Sequence, residues 1–219
     1  MTHRRRAVLA TVLTFAAVAP ATAYLKLGTQ AGNRTVNLEW KQFPIRYFVT
    51  NRDVDGVTAA QFQSAVAQAF NTWHAVPNTG TSSTFVGFTQ ISPISGDGVT
   101  VLGYQSRPDL DRTLAATNFF IDTVTGEIVE SDIFFNSAFL WSTSAAGTTG
   151  RFDVQSIATH EIGHLLGLSH SALGETELRA GGRRVLGAEA VMNRSVDADH
   201  RDASEVAREF VSKVLSRQP

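Results

Sequence analysis

Residues 159–171 read THEIGHLLGLSHS, and no other stretch constrains this chain so strongly. His160 and His164 stand four residues apart, so one turn of α-helix places both imidazoles on the same face. Glu161 directly follows the first of these histidines. On a helix, this spacing is the one in which two metal ligands and a base act together. The stretch therefore predicts a helix in which His160, Glu161 and His164 lie together on one turn.

A third histidine follows the end of this predicted helix. Gly167 has no Cβ and takes a positive φ at low cost, which favours a helix end and lets the chain turn back to offer His170. Three neutral imidazoles suit zinc and leave a fourth position for water, as in catalytic rather than structural sites. We therefore predict that His160, His164 and His170 bind one Zn²⁺ ion. The alternative is an ordinary helix fragment, but the match spans five positions and uses three of the six histidines.

Composition sets the size and limits the partners. The 219 residues, of which 43% are hydrophobic, are enough for one globular domain with a sizeable core. A net charge of −1 gives no field that would attract nucleic acid or an anionic membrane, so neither is an expected partner. The chain contains no cysteine, which excludes disulfides, thiolate zinc ligands and a thiol nucleophile.

The N-terminus has the pattern of a secretory signal peptide. Residues 4–6 are basic, residues 7–19 form an apolar run, and residues 21–23 form a small-x-small cleavage site. We predict that residues 1–23 are removed on export to the extracellular medium or periplasm. Residues 24–219 would then form one domain that is not associated with a membrane. The alternative, an uncleaved anchor, would need about 20 apolar residues to cross a bilayer.

The rest of the chain alternates strand and helix patterns. Residues 45–49 alternate as a strand, and Thr58 with Gln61 forms a capping box before apolar residues at helical spacing. Residues 24–42 show no strong period and are predicted to be an arm along the domain. Asp153 is the predicted N-cap of the histidine helix. Further strands are predicted at 85–88, 99–104, 114–122 and 127–136, the last two as a hairpin, and a C-terminal helix is predicted from Asp202.

The histidine motif resembles that of the metzincin metallopeptidases, and LGLSHS at residues 166–171 is most similar to the matrixin branch. Metzincins also carry a methionine in a tight turn below the metal, and Met192 is the candidate here. Residues 44–73 and 126–141 resemble matrixin catalytic domains as well. The resemblance implies an α+β fold with a twisted, mostly parallel five-stranded sheet and an antiparallel edge strand. A long helix and the active-site helix would pack on this sheet, and a C-terminal helix would close the domain.

The chain departs from the family pattern at three points. Animal matrixins bind a second, structural zinc through histidines where this sequence has Ala116 and Phe134. A calcium-binding carboxylate of the family is replaced by Phe139, although Asp122 and Asp132 could ligate a calcium ion elsewhere. The cysteine that holds matrixin zymogens inactive has no counterpart in a chain without cysteine. One zinc ion is therefore the expected cofactor.

The resemblance implies a zinc endopeptidase that acts on proteins or peptides, and we expect it to be a monomer. Glu161 would be the general base, and residues 114–118 would be the edge strand that pairs with an extended substrate. The alternative is a secreted zinc-containing binding module, or a lapsed peptidase that keeps the metal without turnover. A domain without any metal would require the five-position match to be accidental.

Overall fold

The computed structural model describes residues 26–76, 79–93 and 96–169. The predicted signal peptide, His170, Met192 and the predicted C-terminal helix lie outside these residues. The described elements, in chain order, are β1 (Gly28–Ala31), β2 (Arg34–Asn37), β3 (Ile45–Thr50), α1 (Ala59–His74), β4 (Ser83–Thr89), β5 (Thr100–Gln105), β6 (Ala115–Ile121), β7 (Ile128–Asn136), β8 (Trp141–Ser142), β9 (Phe152–Asp153) and α2 (Val154–Leu165). None of the described helices is long and apolar enough to cross a membrane.

The main sheet has five strands in the order β4-β3-β5-β7-β6. The first four run parallel to one another, whereas β6 pairs with β7 in the antiparallel direction and forms one edge. The mostly parallel five-stranded sheet with an antiparallel edge strand is therefore confirmed. The predicted bounds of these strands lie within two residues of the observed bounds, because each is a run of β-branched, aromatic or other apolar residues bounded by polar turns.

Helix α1 begins at the predicted capping box. The Thr58 hydroxyl accepts a hydrogen bond from the Gln61 amide nitrogen, and the Gln61 side chain accepts one from the Thr58 amide at 2.9 Å. These bonds satisfy N–H groups that the first turn of a helix leaves without partners. The apolar face of the helix packs on the sheet through Phe62, Val66, Phe70 and Trp73, all of which are buried.

Helices α1 and α2 also pack against each other, and Gly163 of α2 allows their close approach. The indole of Trp73 lies over this glycine, and a Cβ there would come within 2.7 Å of the ring. The indole N–H of Trp73 donates to the Thr159 carbonyl at 2.8 Å. Overpacking a core position costs about 1–3 kcal/mol, so this close contact fixes where α2 lies on the core.

The N-terminal arm is more structured than the sequence predicted. Residues 28–37 form the antiparallel β1–β2 hairpin around a turn at Gly32, whose φ is 65°. The hairpin was missed because most of its side chains are polar and exposed, so no apolar period marks it. The Gly-Asn pair at its turn was the available signal. The loop at residues 137–151 likewise contributes one strand of the short β8–β9 pair, which was not predicted.

Candidate metal centre

Helix α2 carries the predicted histidines and begins where the sequence indicates. The Asp153 carboxylate accepts a hydrogen bond from the Ser156 amide at 2.7 Å, which confirms the predicted N-cap. Val154, Ile157 and Leu165 form part of its buried side. Because this side is packed into the core, the position of α2 is fixed, and so is the position of the histidines that it carries.

His160 and His164 face each other on α2, as the four-residue spacing requires. Their Nε2 atoms are 3.1 Å apart, and their rings are nearly perpendicular, at 86°. The Nδ1 atom of His164 lies 2.7 Å from the Leu168 carbonyl oxygen. Because a carbonyl can only accept, this Nδ1 carries the proton in the neutral ring and Nε2 carries the lone pair. The nitrogen turned towards His160 is thus in the form that binds a metal.

This geometry fits a zinc ion. Zn–N bonds of about 2.0–2.1 Å at tetrahedral angles place two ligand nitrogens about 3.3 Å apart. The observed separation of 3.1 Å between the Nε2 atoms is close to that value. Among residues 26–76, 79–93 and 96–169, no three His, Cys, Asp or Glu side chains come together as a metal-binding group. The third predicted ligand, His170, immediately follows the last described residue.

The chain reverses after α2 as predicted, because Gly167 has a φ of 90°. A Cβ at this position would also lie 2.4 Å from the Leu38 carbonyl oxygen, so the glycine is required by space as well as by conformation. The Leu27 amide donates to the Gly167 carbonyl at 2.9 Å, and the Trp40 indole N–H donates to the Leu165 carbonyl at 2.7 Å. Residues 26–40, the N-terminal arm, therefore bind the end of α2.

The N-terminal arm also reaches the residue that orients His164. Lys26 forms an isolated antiparallel bridge with Leu168, whose carbonyl accepts from the His164 ring. A partner that fixes the second nitrogen of a ligating histidine sets the direction of the first nitrogen. Sequence reasoning missed this support, and its one signal was the isolated Trp40 before the first strand of the main sheet.

Glu161 is fully buried between α2 and the edge strand β6. Its Oε2 atom accepts a hydrogen bond from the Thr117 hydroxyl at 2.7 Å, and its Oε1 atom has no partner within the described structure. Burial raises the pKa of Glu161 to about 7, and the hydrogen bond from Thr117 acts in the opposite direction. The carboxylate thus has one oxygen held by Thr117 and one buried oxygen without a hydrogen bond among the described residues.

The candidate calcium ligands Asp122 and Asp132 each accept hydrogen bonds from backbone amides, in different parts of the fold. The Asp122 carboxylate accepts from the Val124 and Thr125 amides of its own turn, and these bonds lower its pKa. Asp132 is buried and accepts from the Val101 amide at 2.8 Å. Calcium binding through them stays an open alternative to the expected single zinc ion. At the places of the family's structural zinc ligands, Ala116 and Phe134 are register partners across β6 and β7.

A buried amide organises the loop that leads into β6. The Asn136 Nδ2 atom donates to the carbonyls of Arg107, Leu110 and Thr113 at 2.8, 3.0 and 3.2 Å. Its Oδ1 atom accepts from the Arg107 and Ala138 amides, each at 3.1 Å. One side chain thus binds both turns between residues 107 and 113, and this loop in turn sets the start of the edge strand.

The mostly parallel sheet and the paired histidines beside a buried glutamate have the arrangement that the sequence led us to expect of a matrixin-like metallopeptidase. The chain belongs to the matrixin family, whose model matches residues 39–178. Metalloendoproteinase 1 of Glycine max is 30% identical over 124 residues, which cover 51% of this chain. The match covers 35% of that relative's own length. The expected resemblance to matrixins is therefore confirmed.

Proposed function

We propose that this chain is a zinc-dependent endopeptidase. His160, His164 and His170 hold one Zn²⁺ ion, and Glu161 acts as general base. The observation that carries the proposal is the 3.1 Å separation of two histidine Nε2 atoms beside a buried glutamate on one helix, in a member of a peptidase family.

A zinc ion held by these histidines would polarise the substrate carbonyl and lower the pKa of a bound water. The protein supplies orientation and proton transfer. The Thr117 hydroxyl holds Oε2 of Glu161, which leaves Oε1 to take a proton from the attacking water and to pass it to the leaving amine. His164 keeps its direction through the carbonyl of Leu168.

The substrate is an extended peptide that adds a strand to β6. Within the described part of the chain, β6 pairs with β7 alone, so its outer edge offers backbone N–H and C=O groups. The Thr117 side chain of this strand contacts Glu161, so a peptide paired there lies along the candidate metal centre. Export through the signal peptide at residues 1–23 would deliver the enzyme to the extracellular medium or periplasm.

Removal of the metal tests this function. We expect the full chain to digest casein, to lose this activity on addition of 1,10-phenanthroline, and to regain it with a slight excess of Zn²⁺. One zinc ion per chain should be found by metal analysis, and this content should fall with the activity. Bound zinc without cleavage of casein or of a diverse peptide library would contradict the proposal and favour a binding module.

Replacement of Trp40 by phenylalanine tests the support from the N-terminal arm. The change keeps an aromatic ring but removes the N–H group that donates to the Leu165 carbonyl. Because the end of α2 orients His164, we expect zinc affinity to fall by up to about tenfold in competition with a chromophoric chelator. Trp141→Phe is the matched control, since that indole donates to the Asn136 carbonyl in the core. Equal affinities in both variants would contradict this role.

A further inference from the structure

Thr117 joins two parts of the molecule that the proposed reaction must bring together. It lies on the edge strand β6, and Glu161 lies on α2, 44 residues further along the chain. Its hydroxyl is 2.7 Å from Oε2 of Glu161 and 3.0 Å from the backbone carbonyl of the same residue. A single side chain of the strand therefore contacts both the carboxylate and the helix backbone that carries it.

No other hydrogen bond holds this carboxylate among the described residues. Glu161 is buried, and its Oε1 atom has no partner there. A glutamate side chain has several rotatable bonds, so one hydrogen bond to a rigid strand strongly limits its orientations. A threonine placed only for strand propensity would not need to point its hydroxyl at this group.

We propose that Thr117 is a positioning residue that holds the Glu161 carboxylate in its reactive orientation and links that orientation to the strand where the substrate pairs. This rests on the proposed endopeptidase function. A peptide added to the outer edge of β6 would lie on the strand that carries Thr117, so the strand that receives the substrate also holds Glu161 through one hydrogen bond. Substrate pairing and base orientation are thus coupled through a single side chain.

Kinetics of two Thr117 variants test the proposal. Thr117→Val keeps the branched shape and removes the hydroxyl, whereas Thr117→Ser keeps the hydroxyl. We expect kcat of the valine variant to fall roughly tenfold or more, with KM and zinc affinity within about twofold of the unchanged chain. The serine variant should recover most of kcat. Thr84→Val, an exposed threonine at the opposite edge of the sheet, is the control and should not change kcat.

A stability cycle on the metal-free chain gives a readout that does not depend on activity. Thr117→Val should lower the unfolding temperature, and should lower it much less when Glu161 is already replaced by methionine, because the bond to the carboxylate is then absent in both and only the contact with the backbone carbonyl of residue 161 remains to be lost. Additive shifts would overturn the proposal, as would a serine variant as slow as the valine variant. Failure of the unchanged chain to cleave any peptide would instead overturn the endopeptidase function, and this role of Thr117 with it.

Discussion

Glu161→Gln is expected to retain zinc and to lose turnover, with kcat/KM lower by roughly 10²–10⁴-fold. Glutamine has nearly the same shape, and its amide oxygen can still accept from the Thr117 hydroxyl. It cannot take a proton from water, so the base is removed while the helix packing is kept. Because the carboxylate is not among the proposed metal ligands, zinc content and zinc affinity should stay the same.

The control for this variant is Glu127→Gln, which removes one negative charge from the hairpin beside the edge strand rather than from α2. Its kcat/KM should equal that of the unchanged chain. Hydrolysis of a fluorogenic peptide and metal analysis on the same preparations would separate the two effects. A Glu161→Gln variant with normal turnover would refute the general-base role, and one that loses zinc would place the carboxylate in the metal shell.

The elements of the fold could be predicted because their signals are local. Thr58 and Gln61 marked the start of α1, Asp153 marked the start of α2, and Gly167 marked the reversal after it. Each of these residues acts on backbone groups within a few positions of itself. The order of the sheet was accessible only through the family resemblance, since the strand patterns do not state which strands are neighbours.

The residues of the candidate site could likewise be predicted only where they are close together in the sequence. His160, Glu161 and His164 lie within one helical turn, so their spacing alone brings them together. The contacts that hold them come from distant parts of the chain. Thr117 is separated from Glu161 by 44 residues, and Trp40 is separated from the Leu165 carbonyl by 125. No period or motif connects such pairs, because they meet only after the sheet and both helices have formed.

The largest loss of stability is expected from Asn136→Asp. The side chain is fully buried, and its amide nitrogen is the donor for three loop carbonyls. An ionised aspartate would place a second negative oxygen against the carbonyls of Arg107, Leu110 and Thr113. The loss of these bonds and the uncompensated buried charge should lower the free energy of unfolding by about 3–5 kcal/mol at neutral pH. Urea unfolding followed by circular dichroism would measure this change.

The response of the Asn136→Asp variant to calcium is a second test of the same contacts. In the Asn136→Asp variant, a carboxylate and three backbone carbonyls would converge on one point, and such oxygens are the ligands that Ca²⁺ prefers. Millimolar calcium should therefore stabilise the variant more than it stabilises the unchanged chain, where the amide nitrogen occupies that point. Asn51→Asp, at an exposed position after β3, is the control and should change stability by no more than about 0.5 kcal/mol. If both variants unfolded alike, the loop before the edge strand would not depend on the Asn136 amide.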